Sequence, residues 1–132
     1  MNAENERAQF TLNAVLCTDI CGKITYLNLV AKKMTGWSRE KAAGRCLDEV
    51  FKIVDGATRQ TAPDPMEMAF KQNKTVGMTV NCVLIRRDGC ESAVEGSAAP
   101  IHDRAGQVIG AVIVFHDVGA ARQMSLQMTP LA

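Results

Sequence analysis

Cysteine and histidine are the side chains of this chain best suited to bind a metal or to act as nucleophiles. The 132 residues include two histidines and five cysteines: His102, His116, Cys17, Cys21, Cys46, Cys82 and Cys90. The Cys17-x-x-x-Cys21 spacing matches neither a zinc-binding pair nor the C-x-x-C spacing of redox pairs. The odd number of cysteines and their mostly strand-like settings argue against a disulfide framework. We therefore expect reduced, buried thiols, solvent-facing histidines and no metal site.

Acidic residues stand in pairs at two places, and paired carboxylates can act as general acid and base. Asp48 is adjacent to Glu49, and Asp64 lies three positions before Glu67. Both pairs also suit helix starts and solvated faces. The sequence has no phosphate-binding P-loop, no G-x-S-x-G nucleophile motif and no H-E-x-x-H zinc motif. We expect no catalytic residues and predict that the chain is not an enzyme.

The overall charge favours neither nucleic acid nor an anionic membrane as a partner. Lys and Arg number 15 against 14 Asp and Glu, which gives a formal net charge of +1, and aromatic residues make up 5%. No apolar run approaches the roughly 20 residues of a membrane span, and the polar N-terminus does not resemble a signal peptide. We expect no nucleic-acid partner, no membrane insertion and a cytoplasmic location.

Hydrophobic periodicity and turn residues predict two strands, several short helices and three further strands, in that order. Residues 14–20 and 23–27 read as a hairpin, followed by helices that Asn28, Ser38 and Asp64 would cap. Residues 47–54 read as helical or irregular. From 77 to 118, three strand-like runs are joined by turns at Asp88-Gly89 and at residues 102–106. This order predicts an α+β fold, with a five-stranded antiparallel sheet and short helices packed on one face.

The landmarks along this order resemble those of a PAS domain, of the sensory-box family, over about residues 12–118. Asp19-x-x-Gly22 is similar to the turn of the first hairpin. The stretches Tyr26-x-Asn28, Gly36-Trp37-Ser38-x-Glu40, Gly44-Arg45, Arg87-Asp88-Gly89, Pro100-Ile101 and Asp117-Val118 are similar to the later landmarks. The resemblance implies a sensor domain over 14–118, and the residues after it resemble the start of a linker helix over 119–132. Residues 4–12 have a weak helical apolar stripe, which indicates either an N-terminal cap helix over 1–13 or a frayed terminus.

The same resemblance implies a role in signal transduction. The tail from Asp117 onwards resembles the linkers of bacterial diguanylate cyclases (GGDEF proteins) and histidine kinases. A homodimer is then expected, together with an output domain elsewhere in the parent chain and a signal relay through Asp117 and Val118. One departure concerns Gly119, because the family usually has Thr or Ser there and that hydroxyl would cap the following helix.

PAS domains hold ligands between the sheet and the helices, so the resemblance also implies a pocket for a small apolar ligand. Strand alternation and the resemblance together give its expected lining: Met34, Met66, Phe70, Val80, Cys82, Leu84, Val94, Ala98, Val112 and Val114. Small residues at Gly96 and Ala98 would either leave room for the ligand or permit a close contact between helix and sheet.

Two alternatives to the apolar pocket stay open. One is a redox or gas sensor that binds haem or flavin (FAD) without a covalent bond. Against a flavin, Leu84, Val94 and Val112 stand at the positions where flavin-binding relatives place amide side chains. Leu47 stands at the position of the photoactive cysteine of those relatives, and Cys46 lies one residue before that position. For haem, Met78 aligns with a known type of iron ligand, but the preceding helix has no histidine. The other alternative is a ligand-free dimerisation scaffold with a filled core.

Overall fold

The structure, a computed structural model, describes residues 13–119. Within that range, four helices and seven strands follow one another. Their bounds are β1 Ala14–Asp19, β2 Ile24–Leu27, α1 Leu29–Thr35, α2 Arg39–Ala42, α3 Leu47–Val50, β3 Lys52–Asp55, α4 Pro65–Gln72, β4 Val76–Gly77, β5 Cys82–Ile85, β6 Glu91–His102 and β7 Val108–Asp117. The predicted α+β class is confirmed. The predicted cap helix over 1–13 and linker helix over 119–132 lie almost wholly outside the described residues.

All strands belong to one antiparallel sheet. The strand order is β2-β1-β7-β6-β5-β3, and β4 pairs with β6 beside β5. The first and last parts of the chain therefore meet at its centre, where β7 pairs with both β1 and β6. Helix α4 contacts β6 and β7, and α1 contacts β1. The core is the sheet face toward these helices, and its largest fully buried side chains include Leu16, Leu27, Leu84, Ile113 and Phe115.

The prediction of five strands is wrong, because two segments behave differently from their sequence pattern. Residues 52–55 form an edge strand in which Ile53 pairs with Leu84, whereas a helical or irregular segment was expected. The strand expected to begin at Gly77 is interrupted at 78–81, where Asn81 has a φ of 62°. The carbonyl of Asn81 accepts a hydrogen bond from the amide of Gly56 over 2.8 Å. This turn moves the chain out of the β6 ladder before β5 begins.

The helix caps predicted from the sequence are confirmed. The Oδ1 atom of Asn28 accepts hydrogen bonds from the amides of Ala31 over 2.9 Å and Val15 over 3.0 Å, so it caps α1 and also ties it to β1. Gly36 ends α1 in the left-handed region with a φ of 78°, which a side chain would oppose. Asp64 caps α4 through a 2.9 Å bond from the amide of Met66.

No helix among residues 13–119 is both long and apolar enough to cross a lipid bilayer.

Candidate functional site

Seven of the ten predicted pocket residues lie on the helix side of the sheet or on the helices that cover it. Cys82, Leu84, Val94 and Ala98 are buried on the inner face of β5 and β6. Met34 and Met66 are partly buried and pack against that core, and Phe70 is half-buried on α4. The structure brings the first six of these residues into one hydrophobic cluster, and the idea that the seven hold a ligand stays a prediction.

The predicted inward orientation of Val112 and Val114 is wrong. Their neighbours Ile113 and Phe115 are fully buried, whereas Val112 and Val114 alternate with them on the outer face and are half-buried. The register agrees, because Ala98 pairs with Ile113 and side chains of paired residues share a face. Apolar residues occupy both faces of β7, so the strand period cannot be read from hydrophobicity.

The predicted inward orientation of Val80 is also wrong. Its side chain is 87% exposed, in the turn that separates β4 from β5. The physical reason is the interruption at 78–81, since strand alternation does not extend across a turn. The one sequence signal of this break is Asn81, because asparagine tolerates a positive φ.

The interior between sheet and helices is closely packed. The rings of Phe51 and Phe115 lie 4.8 Å apart between centroids, and both side chains are buried. Within the described chain, every buried side-chain nitrogen or oxygen atom has a hydrogen-bond partner. The interior therefore offers no unsatisfied polar side-chain group to a ligand.

These interior residues do not fit a flavin. Leu84 and Val94 are buried and apolar, and Val112 faces away from the helices, so none can bind the polar edge of the ring system. Leaving each such polar group unpaired would cost about 1–3 kcal/mol. The interior does not fit haem either, since both histidines lie outside it. His102 is exposed, with its Nε2 atom 2.6 Å from Oδ1 of Asn73, and His116 pairs with Glu95 on the outer face.

A first cleft, of about 320 Å³, lies beside the edge strand β3. Its apolar wall comes from α3, β3 and the residue between them, from the segment before α4 and the first residue of α4, and from β5: Leu47, Phe51, Ile53, Ala62, Pro65 and Ile85. Charged side chains at the same cleft are those of Asp48, Asp64 and Lys52. The sequence assigned both acids to helix starts. That assignment is confirmed for both, because Asp48 lies in the first turn of α3 and Asp64 caps α4.

The carboxyl group of Asp64 at this cleft has a raised pKa. Burial raises the pKa of Asp64, hydrogen bonds from the amides of Met66 and Glu67 oppose the rise, and repulsion from Glu67 and Asp48 adds to it. The sequence signal was the Asp-Pro dipeptide at the helix start, which indicates a cap but not its burial.

A second cavity, of about 540 Å³, lies at the interruption between β4 and β5. Three of the predicted pocket residues line it, namely Val80, Cys82 and Val94. Met78 and His116, the two residues considered for haem, also line it. Among the residues that the structure describes, however, no three His, Cys, Asp or Glu side chains are grouped to hold a metal ion.

The cysteines are free thiols, but the prediction that they are buried is wrong for three of them. Cys21, Cys46 and Cys90 are exposed because they lie in turns and at a helix start. Cys17 is half-buried, and burial raises the pKa of its thiol. Cys82 is buried on the inner face of β5.

The predicted relay residues stand where β7 ends. Asp117 pairs with Val94, and Val118 is 7% exposed. The Oδ1 atom of Asp117 accepts a hydrogen bond from the amide of Gly119 over 2.8 Å. Asp117 therefore caps the backbone after β7. The family resemblance had assigned this role to a Thr or Ser hydroxyl at position 119, where this chain has glycine.

Comparison with known sequences identifies both a family and a relative. The family model of the PAS fold matches residues 11–118. A probable diguanylate cyclase, DgcE of Escherichia coli K12, is 34% identical over 130 residues. The match covers 96% of this chain but only 12% of that relative.

Solved structures share the fold at low sequence identity. The PAS domain of a Colwellia psychrerythraea protein aligns with a TM-score of 0.61 and 19% identity, covering 88% of this chain and 97% of that one. The PAS domain of nitrogen regulation protein NR(II) from Vibrio parahaemolyticus gives 0.62 and 13%, covering 89% and 99%. The light-state dimer of the fungal photoreceptor Vivid gives 0.64 and 19%, covering 81% and 78%. From the family match and the shared fold, we conclude that the chain belongs to the PAS family.

Proposed function

We propose that this PAS domain is the dimeric sensory module of a bacterial signalling protein and that β7 carries its signal. The supporting observation is the central position of β7, which pairs with β1 and β6, contacts α4, and ends at Asp117, next to Val118. A repacking of the helices on the sheet would therefore reach the point where the chain leaves the domain. Ligand binding would act by shifting the population between two such packings.

The proposed output is a catalytic domain outside this chain, of the diguanylate cyclase type. Support comes from the 34% identical relative, a probable diguanylate cyclase of which this chain spans 12% of the length. PAS domains commonly sit in multidomain signalling proteins and commonly dimerise. A histidine kinase as the parent protein is the alternative output.

The proposed signal is a small apolar molecule or a partner that binds between sheet and helices. Met34 and Met66 pack against that core, and methionine side chains adapt to new shapes more readily than branched ones do. The close packing of Phe51 against Phe115 favours the second candidate, a ligand-free dimerisation scaffold. The sensor proposal requires the interior to open for a ligand, whereas the scaffold proposal does not.

One experiment on the 132-residue chain separates these proposals. Sedimentation equilibrium measures dimerisation, absorption spectra detect haem or flavin, and thermal shift tests a panel of small apolar molecules. A ligand that binds only the folded state raises stability by RT ln(1 + [L]/Kd), so a sensor should show saturable shifts in melting temperature. Hydrogen exchange with the bound ligand should then change at the amide of Val118.

Each outcome of these measurements supports or contradicts one of the proposals. A dimer with no thermal response to any molecule in the panel supports the scaffold. Ligand binding without any change of exchange at the end of β7 contradicts the proposed relay. A chain that stays monomeric at all concentrations contradicts the dimeric module. A Soret band or a flavin absorption envelope contradicts the apolar ligand.

A further inference from the structure

The cleft beside β3 is separate from the pocket predicted between sheet and helices. None of the ten residues predicted for that pocket lines it. The cleft is bordered instead by α3, by the edge strand β3, and by the segment that leads into α4. Phe51 lines the cleft and also packs against Phe115, with 4.8 Å between the ring centroids, so the cleft borders the core.

The segment that closes this cleft is held by backbone hydrogen bonds, so the cleft is a feature of the folded chain. The amide of Ala62 donates to the carbonyl of Ile53 over 3.0 Å, and the amide of Asp55 donates to the carbonyl of Gln60 over 2.8 Å. On the opposite side, the amide of Phe51 donates to the carbonyl of Leu47 over 2.7 Å. Both walls are thus fixed without a ligand.

The volume and lining of the cleft suit a small molecule with an apolar body. Its volume of about 320 Å³ lies at the lower end of the range of small-molecule sites, roughly 300–1,000 Å³. Phe51, Ile53, Ala62 and Pro65 provide an apolar wall, and each of them is buried by the surrounding protein. Such a wall gains free energy when an apolar ligand displaces water from it.

The charge at the cleft favours a cation. The residues that line the cleft carry two carboxyl groups, those of Asp48 and Asp64, against one ammonium group, that of Lys52. Asp64 is the more buried of the two acids, and charge repulsion between them contributes to the raised pKa of Asp64. A ligand cation near both acids would remove that repulsion, whereas an anion would add to it.

We propose that this cleft is a second ligand site, which binds a small organic cation: an amine or amidinium group attached to a flat apolar ring. The ring lies against Phe51, Ala62 and Pro65, and the cationic group lies near the carboxylates of Asp48 and Asp64. None of its lining residues belongs to β7, and its contact with that strand runs through Phe51, which packs against Phe115.

The test uses tryptamine as the probe and the 132-residue chain labelled with ¹⁵N. Amide chemical shifts are followed during titration, with tryptophol and indole-3-acetate as neutral and anionic compounds that carry the same ring. We expect saturable shifts at Phe51, Ile53, Ala62 and Ile85 with tryptamine. Tryptophol should bind about fivefold or more weakly, because one charge pair at about 4 Å in water corresponds to roughly that ratio. Indole-3-acetate should bind more weakly still.

Two substitutions test the role of the acids. Asp48→Asn and Asp64→Asn each remove one negative charge, and asparagine keeps an oxygen that can cap α4. Each should weaken tryptamine binding about threefold or more while tryptophol binding stays unchanged. Glu40→Gln is the matched control, since it changes the net charge equally at an exposed position of α2 that does not line the cleft.

Several results would overturn the proposal. They are the absence of saturable shifts up to the solubility limit of tryptamine, equal affinity for the three compounds, and shifts concentrated at Val94 and Ile113 of the interior. An equal loss of affinity in Glu40→Gln would show that only net charge matters. If Asp64→Asn fails to fold, the wild-type titrations and Asp48→Asn still decide the question.

Discussion

The hydroxyl of Thr18 donates a hydrogen bond to the thioether sulfur of Met66 over 3.3 Å. Thr18 is 3% exposed on the inner face of β1, and Met66 lies in the first turn of α4. Sulfur is a weak acceptor, yet it is the side-chain partner that satisfies this buried hydroxyl. The contact ties the central part of the sheet to the helix that covers it.

Replacing Met66 with leucine should therefore cost more than the change of shape alone. The Met66→Leu variant leaves the hydroxyl of Thr18 buried without its partner, which costs about 1–3 kcal/mol. The Thr18→Val variant removes the hydroxyl together with its hydrogen bond, whose net contribution to stability is about 0.5–1.5 kcal/mol. Urea unfolding of both single variants and of the double variant measures these free energies.

The double variant is the control for this prediction. With valine at position 18, replacing Met66 no longer leaves a buried hydroxyl without a partner. The double variant should therefore lose less free energy of unfolding than the sum of the two single losses. Strictly additive free energies would show that the Thr18–Met66 contact contributes nothing to stability.

Gly96 is required by the close approach of two strands and not by a ligand. A Cβ atom at Gly96 would lie 2.1 Å from the carbonyl oxygen of Val114 and 2.8 Å from the Cα atom of Phe115. Both are backbone atoms that cannot turn away. We expect Gly96→Ala to destabilise the domain by about 1–3 kcal/mol or more.

Gly77 provides a matched control, because nothing lies within 4 Å of a Cβ atom there and its φ is not positive. Gly77→Ala should change the free energy of unfolding by no more than about 1 kcal/mol. Urea unfolding of the two variants side by side is the measurement. Equal stability of both would contradict the role given to Gly96.

The sequence was sufficient to predict the local features that one or two residues determine. Asn28, Ser38 and Asp64 cap helices because their side-chain oxygens can accept bonds from free amides, and each does so in the structure. The order of strands and helices followed from turns at Gly22, Gly89 and Gly106, where the chain has positive φ.

Features that depend on contacts between distant residues were not predictable in this way. Strand β3 has four residues and is defined by its pairing with β5, which lies some 30 positions later. The orientation of β7 depends on its register with β6, because both of its faces are apolar. The cleft beside β3 combines residues from 47 to 85, and only folding reveals that Asp64 borders it.

Asp55, at the end of β3, and Asp64, at the cleft beside that strand, should affect stability in opposite directions as pH changes. Hydrogen bonds from the amides of Thr58 and Ala57 lower the pKa of Asp55, so its ionised form stabilises the folded chain. That stabilisation is present above the unfolded-state pKa and is lost as pH falls through the folded-state pKa. Burial raises the pKa of Asp64, so ionising it reduces stability as pH rises from its ordinary value through the raised one.

Urea unfolding between about pH 3 and pH 7 tests this pair. Relative to the wild type, Asp55→Asn should lose stability as pH rises, and Asp64→Asn should gain stability as pH rises. Carboxyl chemical shifts measured by NMR give the two pKa values directly. Parallel pH profiles for the two variants would contradict the assignment.

The five thiols should react with iodoacetamide in an order set by exposure and by the fraction of thiolate. Cys21, Cys46 and Cys90 are exposed and should react first. Cys17 should react more slowly, since it is half-buried and burial raises the pKa of its thiol, and thiolate is the reactive form. Cys82 is 2% exposed and should react only when the domain opens.

Mass spectrometry of peptides after timed alkylation measures this order, with the urea-unfolded chain as the control in which all five react. Rapid labelling of Cys82 in the folded chain would mean that the inner face of β5 opens readily, as a ligand pocket between sheet and helices would require.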